Sequence, residues 1–215
     1  MTFHIVTLFP ESIEAYLSAS ILGRAQKEKK IGVRFYNPYD YADNKWGKVD
    51  NRPYGGGPGM VIEALPVLKA VDVARKKIKS KKYKVFWFSP GGAQFTATHA
   101  KKFSKLTDII LICGRYEGID ERVRKIVKAE SISVGPYVLT GGEVPAMVIV
   151  DAISRHVPGV LGKFSSLEEE RIASSEVYTR PETFVYKGKK YRVPKILLSG
   201  HHSEIDKWKA PKKSI

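Results

Sequence analysis

Cysteine is almost absent from this sequence, and its histidines are scattered. Cys113 alone cannot form a disulfide within the chain or build a cysteine-based zinc site, which is typical of a reducing compartment. It ends the apolar run DIILIC (108–113), which predicts a role in core packing. The five histidines show no metal-binding spacing such as HExxH. The sequence therefore predicts no structural metal site.

Long hydrophobic runs are also missing. No apolar stretch approaches the roughly 18 residues that a membrane span needs. Met1 and Thr2 lead directly into FHIVTLF, with no basic segment before it and no small-residue cleavage site after it. We therefore expect a cytoplasmic protein with no membrane partner. The 215 residues suffice for one good-sized domain and a small appendage.

The common nucleotide-binding signatures are lacking, although glycine clusters are present. NRPYGGGPGM (51–60) contains four glycines and two prolines, but it ends in Gly59-Met60 instead of the Gly-Lys-Ser/Thr of a P-loop. No glycine cluster fits GxGxxG, which disfavours a dinucleotide site of the Rossmann type. A tight connection before a helix is the plain alternative for this stretch, and a ligand-holding loop is the functional one.

Acidic residues are outnumbered, 22 Asp and Glu against 37 Lys and Arg, which leaves a net charge of +15. Such a balance favours a polyanionic partner, most often nucleic acid. The alternative is that lysine runs such as RKKIKSKKYK (75–84) only solvate a helix end.

Short β-branched and aromatic runs alternate with longer amphipathic ones, which predicts an α/β fold with a parallel sheet. The predicted strands are 3–9, 33–38, 84–89, 108–113 and a shorter one near SISVG (131–135). The predicted helices are 11–29, 62–80, 98–105, 121–128 and 143–155.

The pattern changes after Pro158-Gly159. Residues 162–176, GKFSSLEEERIASSE, are polar and lack a sustained apolar face, which is typical of a linker. The remainder is basic and rich in aromatic residues. It contains a predicted hairpin, with KGKK (187–190) between TFVY and YRVP, and a candidate helix from His202.

Three glycine-containing loops follow predicted strands: SPGG (89–92), CGRYEGID (113–120) and SVGPYVLTGGEVPAM (133–147). Ligands of open α/β sheets bind outside the carboxyl ends of the strands, so these loops predict one composite pocket. Walls made of backbone amides and carbonyls would suit a flat nucleoside.

Motifs along nearly the whole chain carry a family resemblance. They are LFPE (8–11), GRA (23–25), RPYGGGPGM (52–60), SP (89–90), CGRYEGIDERV (113–123), YVLTGGEVPAM (137–147), PGVLGK (158–163), YTRPE (178–182) and SGHHSEI (199–205). In this order and register they closely resemble the bacterial tRNA (guanine-37-N1)-methyltransferases.

The resemblance implies a fold and an activity. Family members belong to the SPOUT class of S-adenosylmethionine-dependent methyltransferases, whose α/β domain contains a deep trefoil knot. They are homodimers with active sites at the subunit interface, and they methylate N1 of guanosine 37 in tRNA. We therefore expect an α/β knot domain over 1–161, a linker over 162–176 and a short basic tRNA-binding domain over 177–215. The chain ends at Ile215, whereas family members usually continue with a helical extension.

The resemblance also implies site residues. The expected cofactor pocket comprises Trp87, Phe88, Ser89, Pro90, Gly92, Gly114, Arg115, Tyr116, Glu117, Gly118, Ser133, Val134, Gly135, Tyr137, Leu139, Gly141 and Gly142. The expected substrate loop comprises Asp50, Arg52, Tyr54, Gly55, Gly56, Gly57, Pro58 and Gly59, beside a target guanine flipped out of its stack. Family enzymes use magnesium, but no carboxylate cluster here marks a dedicated site, so an ion would bind loosely with the RNA.

Methyl transfer to guanine N1 needs a base for its proton and a cation for the charge that builds on O6. The family uses a linker aspartate and an arginine before the PG turn. The arginine is present as Arg155, whose plain alternative role is to favour a helix C-terminus. In SSLEEER (165–171), Glu170 occupies the aspartate position, and Glu169 is the alternative one residue away. Ser165 with Glu168, or Ser166 with Glu169, would instead form a capping box.

Two other functions stay open at this stage. The glutamate in place of aspartate allows a non-catalytic RNA-binding homologue that keeps the fold. A methyltransferase of the same class could also act on another RNA, such as ribosomal RNA.

Overall fold

The computed structural model describes residues 1–161 and 176–209. The chain divides into two compact units, Met1–Leu161 and Gly162–Ile215, and each is considered by itself. Of the predicted linker, residues 162–175 lie outside the described residues. Within the described parts, no helix is long and apolar enough to cross a membrane.

The first unit is built on a five-stranded sheet. Its strands are β1 (Thr2–Val6), β2 (Gly32–Tyr36), β5 (Tyr83–Gln94), β6 (Asp108–Ile112) and β7 (Glu130–Ser133). Their order is β2-β1-β6-β5-β7, and every neighbouring pair is parallel. This confirms the predicted parallel sheet. Two short strands that the sequence did not predict, β3 (Asp50–Asn51) and β4 (Val61–Ile62), form a separate antiparallel pair.

Helices cover both faces of the sheet. They are α1 (Glu11–Leu17), α2 (Ser20–Lys27), α3 (Ala64–Lys77), α4 (Ala97–Phe103), α5 (Glu121–Val127) and α6 (Glu143–Ser154). One core cluster lies under α1, α2, α4 and α6, and the other lies under α3 and α5. Strand β6 serves both clusters, because Ile109 and Leu111 point into the first and Ile110 and Ile112 into the second. A strand buried on both faces explains its unbroken apolar sequence.

The predicted helix 11–29 is wrong as a single element, because the chain forms α1 and α2 with a break between them. Ser18 ends α1, and Ser20 opens α2 with φ 47°. A Cβ atom on Gly23 would overlap the carbonyl group of Ser18, so only glycine permits this close return of the chain.

The second unit contains the predicted hairpin. Strands β8 (Thr183–Tyr186) and β9 (Lys189–Arg192) pair antiparallel across a two-residue turn, Lys187-Gly188. Both turn residues have positive φ, 49° and 73°, which suits the right-handed twist of the strands. The turn is therefore shorter than the predicted KGKK. A 3-10 helix (Lys195–Leu198) and α7 (His202–Lys209) follow, and the latter confirms the helix predicted from His202.

A polar cluster joins the three strands β2, β1 and β6. The ring of His4 is 1% exposed, with Nδ1 2.8 Å from the hydroxyl of Tyr36 and Nε2 3.1 Å from Oδ1 of Asp108. Burial lowers the pKa of His4 below 6.5, and nearby Arg34 lowers it further, although Asp108 opposes both. The folded protein therefore holds His4 neutral at pH values where the unfolded chain takes up a proton.

This cluster predicts that stability falls on mild acidification. As the pH drops through about 6.5, the unfolded chain gains the proton on His4 and the folded chain does not, which costs up to about 1.4 kcal/mol per pH unit. We expect His4→Gln to be less stable at pH 7.5 but to show a flatter decline to pH 5.5 in urea denaturation. His201→Gln, at an exposed position, should keep the wild-type slope. An unchanged slope in His4→Gln would contradict the assignment.

Candidate active site

A cavity of about 320 Å³ opens at the carboxyl edge of the sheet, beside the bulge in β5 and the ends of β6 and β7. Its size is within the range of small-molecule sites. The lining residues are Trp87, Phe88, Ser89, Pro90, Gly114, Arg115, Tyr116, Glu117, Gly118, Ile119, Ile132, Ser133, Val134, Gly135, Tyr137, Val138, Leu139, Thr140, Gly141, Gly142 and Pro145.

The structure brings together every predicted cofactor residue except Gly92. A Cβ atom on Gly92 would lie 2.6 Å from the backbone nitrogen of Ile132, so this glycine serves the close pairing of β5 with β7. Five lining residues were not predicted: Ile119, Ile132, Val138, Thr140 and Pro145. Thr140 and Val138 stand within a predicted loop and could have been included, whereas nothing distinguishes Ile132 from an ordinary core residue.

The first wall is a bulge inside β5. Phe88 and Ala93 both pair with Ile132 of β7, so the four residues Ser89 to Gly92 are extruded from the ladder. The sequence predicted this SPGG segment as a loop after the strand. The strand resumes beyond it to Gln94, because Gly92 allows the backbone to return to the edge.

The second wall is the turn that follows β6. Tyr116 and Gly118 have positive φ values of 58° and 123°, and the amide of Gly118 donates to the carbonyl of Arg115 (3.0 Å). Tyr116 also makes a side-chain hydrogen bond with Tyr39 of the 3-10 helix Pro38–Tyr41. Partial burial, and then this hydrogen bond, raise the pKa of Tyr39 to about 12. Tyr39 therefore stays protonated at neutral pH.

The third wall, Ser133 to Gly142, folds back on itself. Ser133 Oγ donates to the carbonyl of Gly135 (2.9 Å) and accepts from its amide (3.2 Å). A Cβ atom on Gly135 would overlap the ring of Tyr137, whose hydroxyl donates to the carbonyl of Val134 (3.2 Å). This wall is therefore fixed by its own short-range contacts.

A buried carboxylate joins the second and third walls to the sheet. Glu143, the first residue of α6, is 2% exposed, and its Oε1 accepts a hydrogen bond from Thr7 Oγ1 (2.6 Å). Its Oε2 lies 2.9 Å from Arg115 Nε; the two atoms are not aligned as a hydrogen bond, so the contact is an ion pair. The Arg115 guanidinium also lies over the ring of Phe9, 4.9 Å from its centroid. Arg115 is thereby held at the cavity wall.

Cys113 lies behind this ion pair. Burial, and then the charge of Glu143, raise the pKa of its thiol well above the usual value. The side chain is 3% exposed and belongs to the core cluster under α1 and α6, which confirms its predicted packing role. A protonated buried thiol is not available as a nucleophile.

The glycine-rich stretch connects β3 to β4 beside the second wall. Gly55, Gly56, Gly57 and Gly59 all have positive φ, so the loop depends on glycine for its conformation. A Cβ atom on Gly59 would lie 2.5 Å from Oε1 of Glu117, and the amide of Glu117 donates to the carbonyl of Met60 (3.0 Å). Of the predicted substrate residues, Asp50 lies in β3 and the others, Arg52, Tyr54 and Pro58 among them, in this loop.

Of the predicted catalytic residues, Arg155 is not among those that line the cavity. Arg155 caps the end of α6, whereas Glu143 at the cavity begins that helix. Arg155 is 12 positions after Glu143, so it lies about 18 Å further along the helix axis. Glu170 and the alternative Glu169 lie outside the described residues.

An open parallel sheet with a cavity at its carboxyl edge, walled by glycine-containing loops, is typical of α/β enzymes that bind nucleoside-like ligands. The family model for "tRNA (Guanine-1)-methyltransferase TrmD" matches residues 1–215. The chain therefore belongs to the tRNA (guanine-1)-methyltransferase family.

Individual relatives agree with this assignment. The chain is 47% identical over 209 residues to the tRNA (guanine-N(1)-)-methyltransferase of Dictyoglomus turgidum, covering 95% of this chain and 82% of the relative. It is 45% identical over 213 residues to that of Ruminiclostridium cellulolyticum, with 97% and 89% covered. For that of Clostridioides difficile the identity is 42% over 213 residues, with 97% and 90% covered.

The glycine contacts predict which substitutions close the cavity. A Cβ atom on Gly142 would lie 2.6 Å from Cys113 Cα and 3.0 Å from the backbone nitrogen of Gly114, so Gly142→Ala must push the second and third walls apart. We expect binding of the methyl donor, measured by calorimetry, to weaken at least about tenfold, equivalent to about 1.4 kcal/mol. Gly91→Ala is the matched control, because the nearest atom to its Cβ is Ser89 Oγ at 4.0 Å. Equal affinities in the two variants would contradict this account of the cavity.

Proposed function

We propose that this protein transfers a methyl group from S-adenosyl-L-methionine to N1 of guanosine 37 in tRNA. The observation that carries the proposal is the family match over the whole chain, together with a cavity lined by all but one of the residues expected to hold the donor. A tRNA substrate also supports the predicted cytoplasmic localisation. Methylation of a purified tRNA transcript, mapped by mass spectrometry of its digest, tests both the activity and the position.

The cavity suits this donor by size and by the chemistry of its walls. The Ser89–Gly92 bulge and the loops Gly114–Gly118 and Ser133–Gly142 offer backbone amides and carbonyls to a flat base, and Ile132 and Leu139 offer apolar contacts. When bound, the donor supplies an electrophilic sulfonium methyl group. The walls would hold its base and orient the methyl group toward the cavity mouth.

The target guanosine would lie between this cavity and the glycine-rich loop. The loop is joined to the second wall at Glu117 and Met60, so a base placed against it is also close to the donor. Because N1 of a stacked guanine is inaccessible, the base must leave its stack. Gly55, Gly56 and Gly57 leave open space where side chains would otherwise stand.

Proton removal from N1 is assigned to Glu170, with Glu169 as the alternative. This assignment rests on the resemblance to the family, in which an aspartate occupies the position of Glu170. The glutamate retains the carboxylate and lengthens it by one methylene. A displacement of about 1 Å can cost roughly a hundredfold in rate, so the linker must accommodate the longer side chain.

Arg155 is assigned to the stabilisation of charge on guanine O6 in the active site of the partner subunit. Its position about 18 Å from the start of α6 argues against a role in its own cavity. A homodimer is supported by exposed apolar residues beside that cavity: Val144 and Val148, one turn apart on α6, and Val138 in the third wall. Exposed apolar residues of this kind favour subunit contact.

The finer architecture belongs to the same proposal. We assign 1–161 to the donor-binding domain, 162–176 to the linker with the base, and 177–215 to tRNA binding. A trefoil knot is supported by the chain after the edge strand β7, which returns past β5 so that the amide of Gly142 reaches the carbonyl of Gly114 (2.9 Å). Helix α6 then packs between α1 and α4.

No group of three metal-binding side chains occurs in 1–161 and 176–209, and we propose that magnesium, which the family uses, binds with the RNA.

The choice between Glu170 and Glu169 has a direct test. Glu170→Gln removes the base and keeps the size of the side chain, so turnover should fall roughly 10²- to 10⁴-fold while donor and tRNA affinities change little. Glu169→Gln is the neighbouring control and should be mild, and Glu170→Asp should retain activity. The reverse ranking would shift the base by one residue. Normal turnover in both glutamine variants would reject a carboxylate base.

The intersubunit site predicts complementation between two impaired variants, assayed at a donor concentration well below the Kd of Gly142→Ala. Arg155→Ala has an intact cavity and Gly142→Ala has an intact Arg155, so a mixed dimer contains one complete site. After subunit exchange at equal concentrations, about a quarter of wild-type turnover should return, because half the dimers are mixed and each has one working site. If Arg155 acts in its own subunit, no site is complete in any dimer, and the mixture should show no more turnover than the two variants measured separately.

A further inference from the structure

The hairpin of the second unit has an aromatic face. In its register Phe184 pairs with Tyr191 and Tyr186 pairs with Lys189. Side chains alternate between the faces of a strand, so these four residues share one face. Val185 and Lys190, which pair with each other, stand on the opposite face.

The aromatic face is exposed. Phe184 is 55% accessible, Tyr186 59% and Tyr191 41%, so the three rings are not buried in a core. Isolated two-stranded hairpins are only marginally stable, and sequences normally bury such rings against another element. Exposed aromatic rings on a structured hairpin suit a partner with planar groups that can stack on them.

The aromatic rings stack on one another and have lysine side chains over their faces. Phe184 and Tyr191 stack with centroids 5.4 Å apart and planes at 19°. The Lys189 ammonium lies 5.7 Å from the centroid of Tyr191, and that of Lys187 lies 5.5 Å from the centroid of Tyr186. From Thr183 to Arg192 there are four basic residues and no acidic one. A surface with stacking rings and adjacent positive charge matches unpaired nucleotides, whose bases stack and whose phosphates are anionic.

We propose that this face, formed by Phe184, Tyr186, Tyr191 and Lys189, binds the tRNA substrate by stacking on unpaired bases. The inference rests on the proposed function for the identity of the RNA, and it adds a second contact, outside the cavity, that depends on aromatic rings as well as on charge. The charge of the hairpin favours RNA over an apolar protein surface as the occupant.

Tyr186 provides the sharpest test. It faces Lys189 across the ladder, so Tyr186→Ala leaves the supporting Phe184–Tyr191 stack in place. We expect the Kd for tRNA to rise about tenfold in Tyr186→Ala and to be restored by Tyr186→Phe, since stacking needs the ring alone. Val185→Ala, at a 67% exposed position on the other face, is the matched control and should stay within about twofold of wild type.

Salt dependence separates stacking from charge. Lys189→Gln should reduce the slope of log K against log salt by about one, whereas Tyr186→Ala should leave the slope unchanged. In turnover assays both variants should raise KM for tRNA with kcat and donor affinity intact. Wild-type tRNA affinity in Tyr186→Ala would overturn the proposal, as would an equal loss in Val185→Ala.

The same assays keep this inference apart from the proposed function. If the wild-type protein binds tRNA through the hairpin but produces no 1-methylguanosine, the proposed activity fails and the hairpin contact stands. If methylation is normal and the hairpin variants bind normally, only the hairpin contact fails. A change of oligomeric state in Tyr186→Ala during sedimentation, with unaltered tRNA binding, would assign the face to a second copy of the chain and overturn the proposal.

Discussion

The buried carboxylate of Glu143 is the constraint on which the site depends. A carboxylate removed from water is costly unless it is paired and hydrogen-bonded, and here Thr7 and Arg115 provide both. Thr7 follows β1, Arg115 follows β6 and Glu143 begins α6, so one side chain fixes three elements at the carboxyl edge of the sheet. The N-terminus of α6 adds a favourable dipole for the negative charge. The contacts of Glu143 with Thr7 and Arg115 therefore position the second and third walls of the cavity.

Close backbone contact is the second feature that shapes the site. Gly142 lies against Cys113, and Gly92 lies against Ile132, at distances that no side chain permits. The walls are therefore held together by direct backbone contacts. Peptide groups fixed in this way keep their hydrogen-bonding directions before a ligand arrives, which lowers the entropic cost of binding.

The two units have separate roles in the proposed function. The first provides a rigid donor cavity at the edge of a sheet buried on both faces, and the second provides an exposed basic hairpin. In the first unit Arg155 and the cavity lie at opposite ends of α6, which is why two subunits are needed for one complete site in the proposed mechanism. This arrangement would couple catalysis to dimer formation.

The sequence by itself predicted the parallel sheet, the hairpin and three loops around one pocket, because apolar runs, turn glycines and loops after strands depend on local chemistry. The individual pocket residues followed from the family resemblance. It could not reveal the roles of Gly23 and Gly92, since each depends on a segment that approaches only in the folded chain. Nor could it show that Glu143 joins Thr7, which is 136 positions away, or that Arg155 does not line the cavity. Those facts were decided by tertiary structure, because the order of strands and the length of a helix set which distant residues meet.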